Sequence, residues 1–222
     1  MKAWWWTLLL LAGCASRPPV PDWQGNAHGA LQAAVAAQLN GEPQVAEDEM
    51  ARARREIART GRPALLARAE LVLCAARVAS LEISLDVGEG CPAYAALAAD
   101  AGAPEQAYAA YLYGRPAPEQ LALLPAPQQR VAGGAPAAAL QDPLARLVAT
   151  AVQLRQGLAT GADVAAAVQA ASDQGWRRAL LAWLGAQLRG AEAAGDAGAA
   201  ERIRRRIALA EHLQAGPPRS TP

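Results

Sequence analysis

Phenylalanine is absent from this sequence, lysine occurs once, histidine twice and cysteine three times. Each scarcity removes a class of chemistry. The two histidines, His28 and His212, lie at opposite ends of the chain. A metal site wants clustered ligands, so no metal and no other cofactor is expected. Lys2 is the only lysine among 21 basic residues, which leaves 20 arginines against 20 acidic residues. That balance excludes a nucleic-acid partner, which calls for a basic excess, and a polybasic lipid-binding surface. Serines are few and none sits between elbow glycines, so a Ser–His or Cys–His nucleophile is not expected. The carboxylates Glu47 to Glu49 lie together on a charged helical face and read as solvated. The expected catalytic set is therefore none.

What the sequence has in excess is alanine, more than a quarter of all residues. Alanine has the best intrinsic helix propensity and allows helices to approach closely. Long β-branched runs are missing. The fold class is all-α. Leu, Ile and Val together make up only about a fifth of the chain, so long helices must pack over thin apolar seams. Disorder is the competing reading of an Ala/Pro/Gly-rich chain, and helical periodicity argues against it except at the two ends.

One cation, Lys2, precedes ten residues that are almost wholly apolar. This is the pattern of an export signal, too short to span a bilayer. Leu11-Ala12-Gly13-Cys14 follows and resembles the lipobox of bacterial lipoproteins. The resemblance implies a signal peptide over 1–13, cleavage before Cys14, a diacylglyceryl group on its sulfur and an acyl chain on its amine. One buried chain holds marginally and two or more hold stably, at about 0.8 kcal/mol per CH₂. In that family an acidic residue after the cysteine tends to retain the protein at the inner membrane. Ala15 and Ser16 stand here instead, which implies the outer membrane and a periplasm-facing domain. The alternative is an ordinary secretory signal with Cys14 as a chance thiol. Residues 14–24, rich in proline, read as the lipidated cysteine and an extended tether.

The first helix is expected near Ala27 to Leu39, on the spacing of Leu31, Val35 and Leu39. Asn40-Gly41 breaks it. Pro43 opens a second, with Ala46, Met50, Ala53 and Ile57 as its buried stripe and Gly61 at its end. Acidic residues crowd the first half of that helix and arginines the second, which suits the helix dipole and gives ion pairs. Pro63 opens a third to about Leu85. Its expected face is Leu65, Leu66, Ala69, Val72, Leu73, Ala76, Ser80 and Ile83. Ala103-Pro104-Glu105-Gln106, Ala117-Pro118-Glu119-Gln120 and Ala126-Pro127-Gln128-Gln129 read as three short helix starts. Gly133-Gly134-Ala135-Pro136 is the best boundary. Asp142-Pro143 is an N-cap with a first-turn proline. It opens a helix carrying Leu144, Leu147, Val148, Ala151, Leu154 and Leu158, with Gly161 at its end. A short helix to Gly175, one carrying Trp176, Leu180, Trp183, Leu184, Leu188 and Ala191, and a last one carrying Ile203, Ile207, Ala210 and Leu213 complete the set.

About eight helices in successive antiparallel hairpins resemble a tetratricopeptide-type solenoid, with Leu184-Gly185 placed as in that repeat. The spacing to Gly195 is too long for it and no 34-residue period exists, so a compact helical bundle stands beside it. The expected organisation is an N-terminal helical half over 25–132, a hinge over 133–142, C-terminal hairpins over 143–213 and a disordered tail over 214–222.

With Cys14 lipidated, Cys74 and Cys91 remain as an even pair, which in an exported protein reads as a disulfide. The turn between them must run back about 16 Å along the third helix, within reach of six extended residues. The alternative is one buried and one exposed thiol. Tyr94, Tyr108, Tyr111 and Tyr113 cluster mid-chain, and Trp176 and Trp183 near the end; such residues are core, or interface anchors if exposed. Tyr108, Tyr111, Trp176 and Trp183 are the aromatic interface candidates. Arg204 and Arg205, within a run of arginines, are the charged ones, against a solvated helix face. The expectation is a lipid-anchored, periplasm-facing interaction or assembly accessory with a protein partner in the envelope. A peptidoglycan-acting enzyme and a passive structural lipoprotein are the alternatives.

Overall fold

A computed structural model describes residues 21–82 and 90–212. The expected signal peptide, Cys14, Ile83, Leu213 and the tail expected to be disordered lie outside the described residues. Among the described residues the fold is all-helical, with ten α-helices: α1 (Asp22–Asn40), α2 (Pro43–Ala58), α3 (Pro63–Ala79), α4 (Pro92–Ala95), α5 (Ala103–Leu112), α6 (Ala126–Ala132), α7 (Pro143–Arg155), α8 (Gly161–Asp173), α9 (Arg177–Ala193) and α10 (Ala197–His212). Eight of these have ten residues or more, and α4 and α6 are the short additions. None of the described helices is long and apolar enough to cross a membrane.

Local sequence explains the ends. Pro43, Pro63, Pro92 and Pro143 occupy the first turns of α2, α3, α4 and α7, where the missing N–H costs nothing. Gly41, at φ 87°, closes α1 while Glu42 N–H donates back to Ala37 O at 2.9 Å, a left-handed C-cap that favours glycine. Asp142 caps α7 by accepting from Ala145 N–H at 2.6 Å. The three Ala-Pro starts open α5, a 3₁₀ turn over Pro118–Leu123, and α6. In each the glutamine folds back: Gln106 onto Ala101 O, Gln120 onto Ala117 N–H, Gln129 onto Leu124 O.

Four expectations change. α1 begins at Asp22, inside the segment expected to be tether. α3 ends at Ala79: the Ser80 hydroxyl turns back to Ala76 O and Leu81 takes a positive φ of 57°. Gly161 starts α8, and Gly157, at φ 71°, is the turn that follows α7. Leu158 therefore lies past the helix and is 65% exposed, not part of its apolar face.

α3 is the centre of the molecule. It packs against α1, α2, α4, α5 and α7. Its buried residues run almost continuously from Leu73 to Ala79, not along one stripe, because neighbours cover it on several sides. Leu65, Leu66 and Val72 are only half-buried. The main core joins Leu39 and Leu71 to Leu112, Leu147, Val152, Trp183, Leu184 and Ile203. A second core fills the space between α1, α2 and α3 with alanines, Met50 and Ile57. α1 also touches α9, far along the chain; the all-helical arrangement is compatible with a bundle or a solenoid.

Buried carboxylates are each held by an arginine from another element or by a cap. Glu70 of α3 takes a two-pronged bond from Arg54 of α2, at 2.7 and 3.1 Å. Glu105 of α5 accepts from Arg68 of α3 at 2.7 Å. At one end Glu82 receives Gln38 of α1 at 2.9 Å and Arg178 of α9 at 2.6 Å. The segment expected to hinge is fastened: Arg146 donates twice to Leu140 O, at 3.0 and 2.5 Å. The halves on either side of it share the main core.

Trp183, fully buried on α9, donates its indole N–H to Ala79 O of α3 at 2.8 Å, across 104 residues of sequence. Trp183→Phe should remove that bond, strand a last-turn carbonyl and leave a gap. The expected cost is about 2–3 kcal/mol, read as a fall in the urea midpoint. Trp176→Phe, at a half-buried position, should cost less than about 1 kcal/mol.

Candidate interaction groove

An open groove of about 850 Å³ runs between the end of α7, the start of α8, and α9 with α10. Sequence creates it by omission. Ala186 and Gly190 of α9 and Ala194 just past its end stand at four-residue spacing, so the last turns of that helix carry almost no side chain along this row. A Cβ added at Gly190 or at Gly161 would meet nothing within 4 Å. Leu154, Val164 and Ile203 supply the apolar floor and Arg189 an exposed cation at the rim.

The two helix starts that frame the groove are capped. Thr160 N–H donates to Asp163 Oδ2 at 3.0 Å, the Thr160 hydroxyl donates to the same oxygen at 2.6 Å and accepts from Asp163 N–H at 3.2 Å. Asp163 Oδ1 also accepts from Ala138 N–H at 3.4 Å, tying α8 to the 3₁₀ turn over Ala137–Ala139. Burial of Asp163 works to raise its pKa. The hydrogen bonds from Thr160 and Ala138 outweigh it and hold the carboxyl below its ordinary value of 3.8. Asp196 accepts from Ala199 N–H at 2.8 Å at the start of α10, so the one carboxylate that lines the groove among the described residues is engaged as a cap. Opposite, Gln187 lines the groove with a buried Oε1 that has no hydrogen-bond partner. Such an acceptor costs about 1–3 kcal/mol when left unsatisfied.

The residues singled out from sequence do not converge here. Trp183 is fully buried and Tyr111 is 4% exposed, so neither is an interface anchor. Tyr108 is half-buried and stacks on Tyr111 with ring centroids 6.2 Å apart. Burial pushes both phenols above their ordinary value. Trp176 is half-buried against the main core. Arg204 and Arg205 are exposed but engaged within the chain: Arg204 with Glu192 at 2.6 Å, Arg205 with Glu201 at 3.5 Å. Cys74 and Cys91 are both buried and are placed as a disulfide, with Cα atoms 5.7 Å apart. It staples the segment before α4 to the middle of α3. Cys14 lies outside the described residues. Among the described residues no group of three or more His, Cys, Asp or Glu is arranged to hold a metal.

The groove residues were missed in the sequence because apolar stripes draw attention to what is large. The signal was the run of small residues that follows Trp183 along α9 at helical spacing. Comparison with protein-family models, with curated proteins and with solved structures finds no match.

Asp163 binds fewer protons in the folded chain than in the unfolded one between its lowered folded pKa and its ordinary value. Stability from this cap is therefore complete above the ordinary value and is lost as pH falls through the folded one. Asp163→Asn should cost about 1 kcal/mol at pH 7 and show a shallower loss on acidification. Urea midpoints measured from pH 7 to pH 2 check this.

Proposed function

We propose that this chain is a lipid-anchored, periplasm-facing accessory protein of the bacterial envelope, of the kind that serves secretion, pilus or outer-membrane assembly. It is not an enzyme, and it works by holding a peptide segment of a partner in the groove between α8, α9 and α10. The observation that carries this reading is the groove itself. It is open, it has an apolar floor, and Gln187, whose buried Oε1 has no partner, is part of its wall. Peptide docking combines these same elements, an apolar trough and a few polar groups that fix the backbone. The peptidoglycan-enzyme alternative needs convergent carboxylates of distinct pKa, and among the described residues Asp196 is the only carboxylate lining this groove.

The lipobox supports the anchor. Lipid on Cys14 confines the domain to the outer-membrane surface and so raises its effective concentration for a membrane-bound partner. The mature chain has no charge excess to do this electrostatically. The tether is shorter than expected, since α1 begins at Asp22, which keeps the domain close to the membrane.

A photo-crosslinker placed at Arg189 should capture one recurrent envelope protein from living cells, whereas one at the exposed Gln32 of α1 should not. Gly190→Leu, which fills open space without straining the helix, should abolish the Arg189 crosslink at unchanged thermal stability. Cys14→Ser should lose lipid labelling and leave the outer-membrane fraction. Equal crosslinks from both positions, or a Cys14→Ser chain still in that fraction, would overturn the reading.

A further inference from the structure

A second, smaller and partly open chamber of about 300 Å³ lies beside α7, bounded by the end of α5, the 3₁₀ turn over Pro118–Leu123 and α6. Its apolar walls include Leu121, Val131 and Val152, and among the described residues no charged side chain lines it. Gln156 Nε2 donates to Gly114 O at 3.0 Å and so ties α7 to the turn after α5 at the chamber's edge. Leu158, which the helix ending at Arg155 leaves 65% exposed, lines it too.

Two of the three buried side-chain polar atoms without a hydrogen-bond partner among the described residues belong to residues lining this chamber: the Tyr111 hydroxyl and Gln153 Oε1. The first residue comes from α5 and the second from α7, so the pairing is a product of the fold, not of local sequence. Gln153 Oε1 can only accept. Burial keeps the Tyr111 phenol neutral, so it can donate. The chamber therefore offers one donor and one acceptor within apolar walls, at the lower end of the range of small-molecule sites, about 300–1,000 Å³.

We propose that this chamber binds a small neutral molecule with an apolar body and a primary amide or lactam head. The amide N–H donates to Gln153 Oε1 and the amide oxygen accepts from the Tyr111 hydroxyl, so both orphaned groups are satisfied by one planar head. A carboxylate would set its charge against the Gln153 oxygen in an uncharged chamber. A tertiary amide has no N–H to give. The site is separate from the groove, and its ligand is independent of the partner bound there.

The test is amide and methyl NMR titration of the lipid-free mature chain with benzamide, N,N-dimethylbenzamide and benzoate. Benzamide should shift the Ala132, Val131 and Val152 signals saturably, and the other two should bind at least about tenfold more weakly, the ratio expected when a buried acceptor is left unpaired. Tyr111→Phe and Gln153→Leu should each weaken benzamide binding by a similar factor. Tyr111→Phe should leave the thermal midpoint unchanged or higher, because it deletes an unsatisfied hydroxyl. Equal binding of all three probes, or no saturable shift at the chamber, would overturn the proposal. So would a Tyr111→Phe chain of lower thermal midpoint that binds benzamide as the wild type does, since the hydroxyl would then serve an internal water.

Discussion

Alanine-rich helices have little side chain to bury, so each must come close to several neighbours before the burial is worth its entropy. α3 meets that constraint by accepting neighbours on several sides, and most of the remaining structure depends on it. Small residues on α1, α2 and α3 interlock around Met50 and Ile57. The larger apolar residues, Leu112, Leu147, Trp183 and Leu184, gather on the other side of α3. Where contact alone is thin, arginine fills in. Arg54, Arg68 and Arg178 each reach a carboxylate on a different element, and the forked guanidinium suits that task better than an ammonium. The chain's dependence on arginine is thus structural as well as compositional.

The same economy that builds the core leaves the groove. α9 uses its large face, with Trp183 and Leu184, to meet α3 and the main core. Farther along the same side, at i+3 and i+7 from Trp183, come Ala186 and Gly190 with little or no side chain, and the capped starts of α8 and α10 line the opening beside them. The small-residue stretch that lines the groove therefore continues, one and two turns farther along, the side of α9 that carries the clasp to α3. Packing at Trp183 sets the position of the surface proposed to take a peptide. The chamber beside α7 arises differently, from short elements too irregular to fill the space beside Tyr111 and Gln153.

Much of the helical layout was legible because its punctuation is local. Pro43, Pro63, Asp142-Pro143 and the Ala-Pro starts act within one turn, and the stripe Ala46, Met50, Ala53, Ile57 buries as its spacing predicts. The pairing of Cys74 with Cys91 followed from counting thiols. What was not legible depended on distant residues. Gly157 and Gly161 are equivalent stop signals until Thr160 and Asp163 form their box and make the second glycine a beginning. Tyr111 and Trp183 read as anchors or core alike until α3 covers them. The groove was invisible because it consists of side chains that are missing, and no periodicity of large residues marks it.

The central claim is that α3 and α9, distant in sequence, belong to one cooperative unit through Trp183 and the shared core. Native-state hydrogen exchange in low urea tests it most directly. The account predicts that amides of α3 from Leu71 to Ala79 and of α9 from Leu180 to Leu188 open with the same free energy and the same urea dependence, the highest in the chain. Opening of α9 together with α8 and α10 at a lower free energy, while α3 stays closed, would contradict it and would separate the groove from the core that is said to position it.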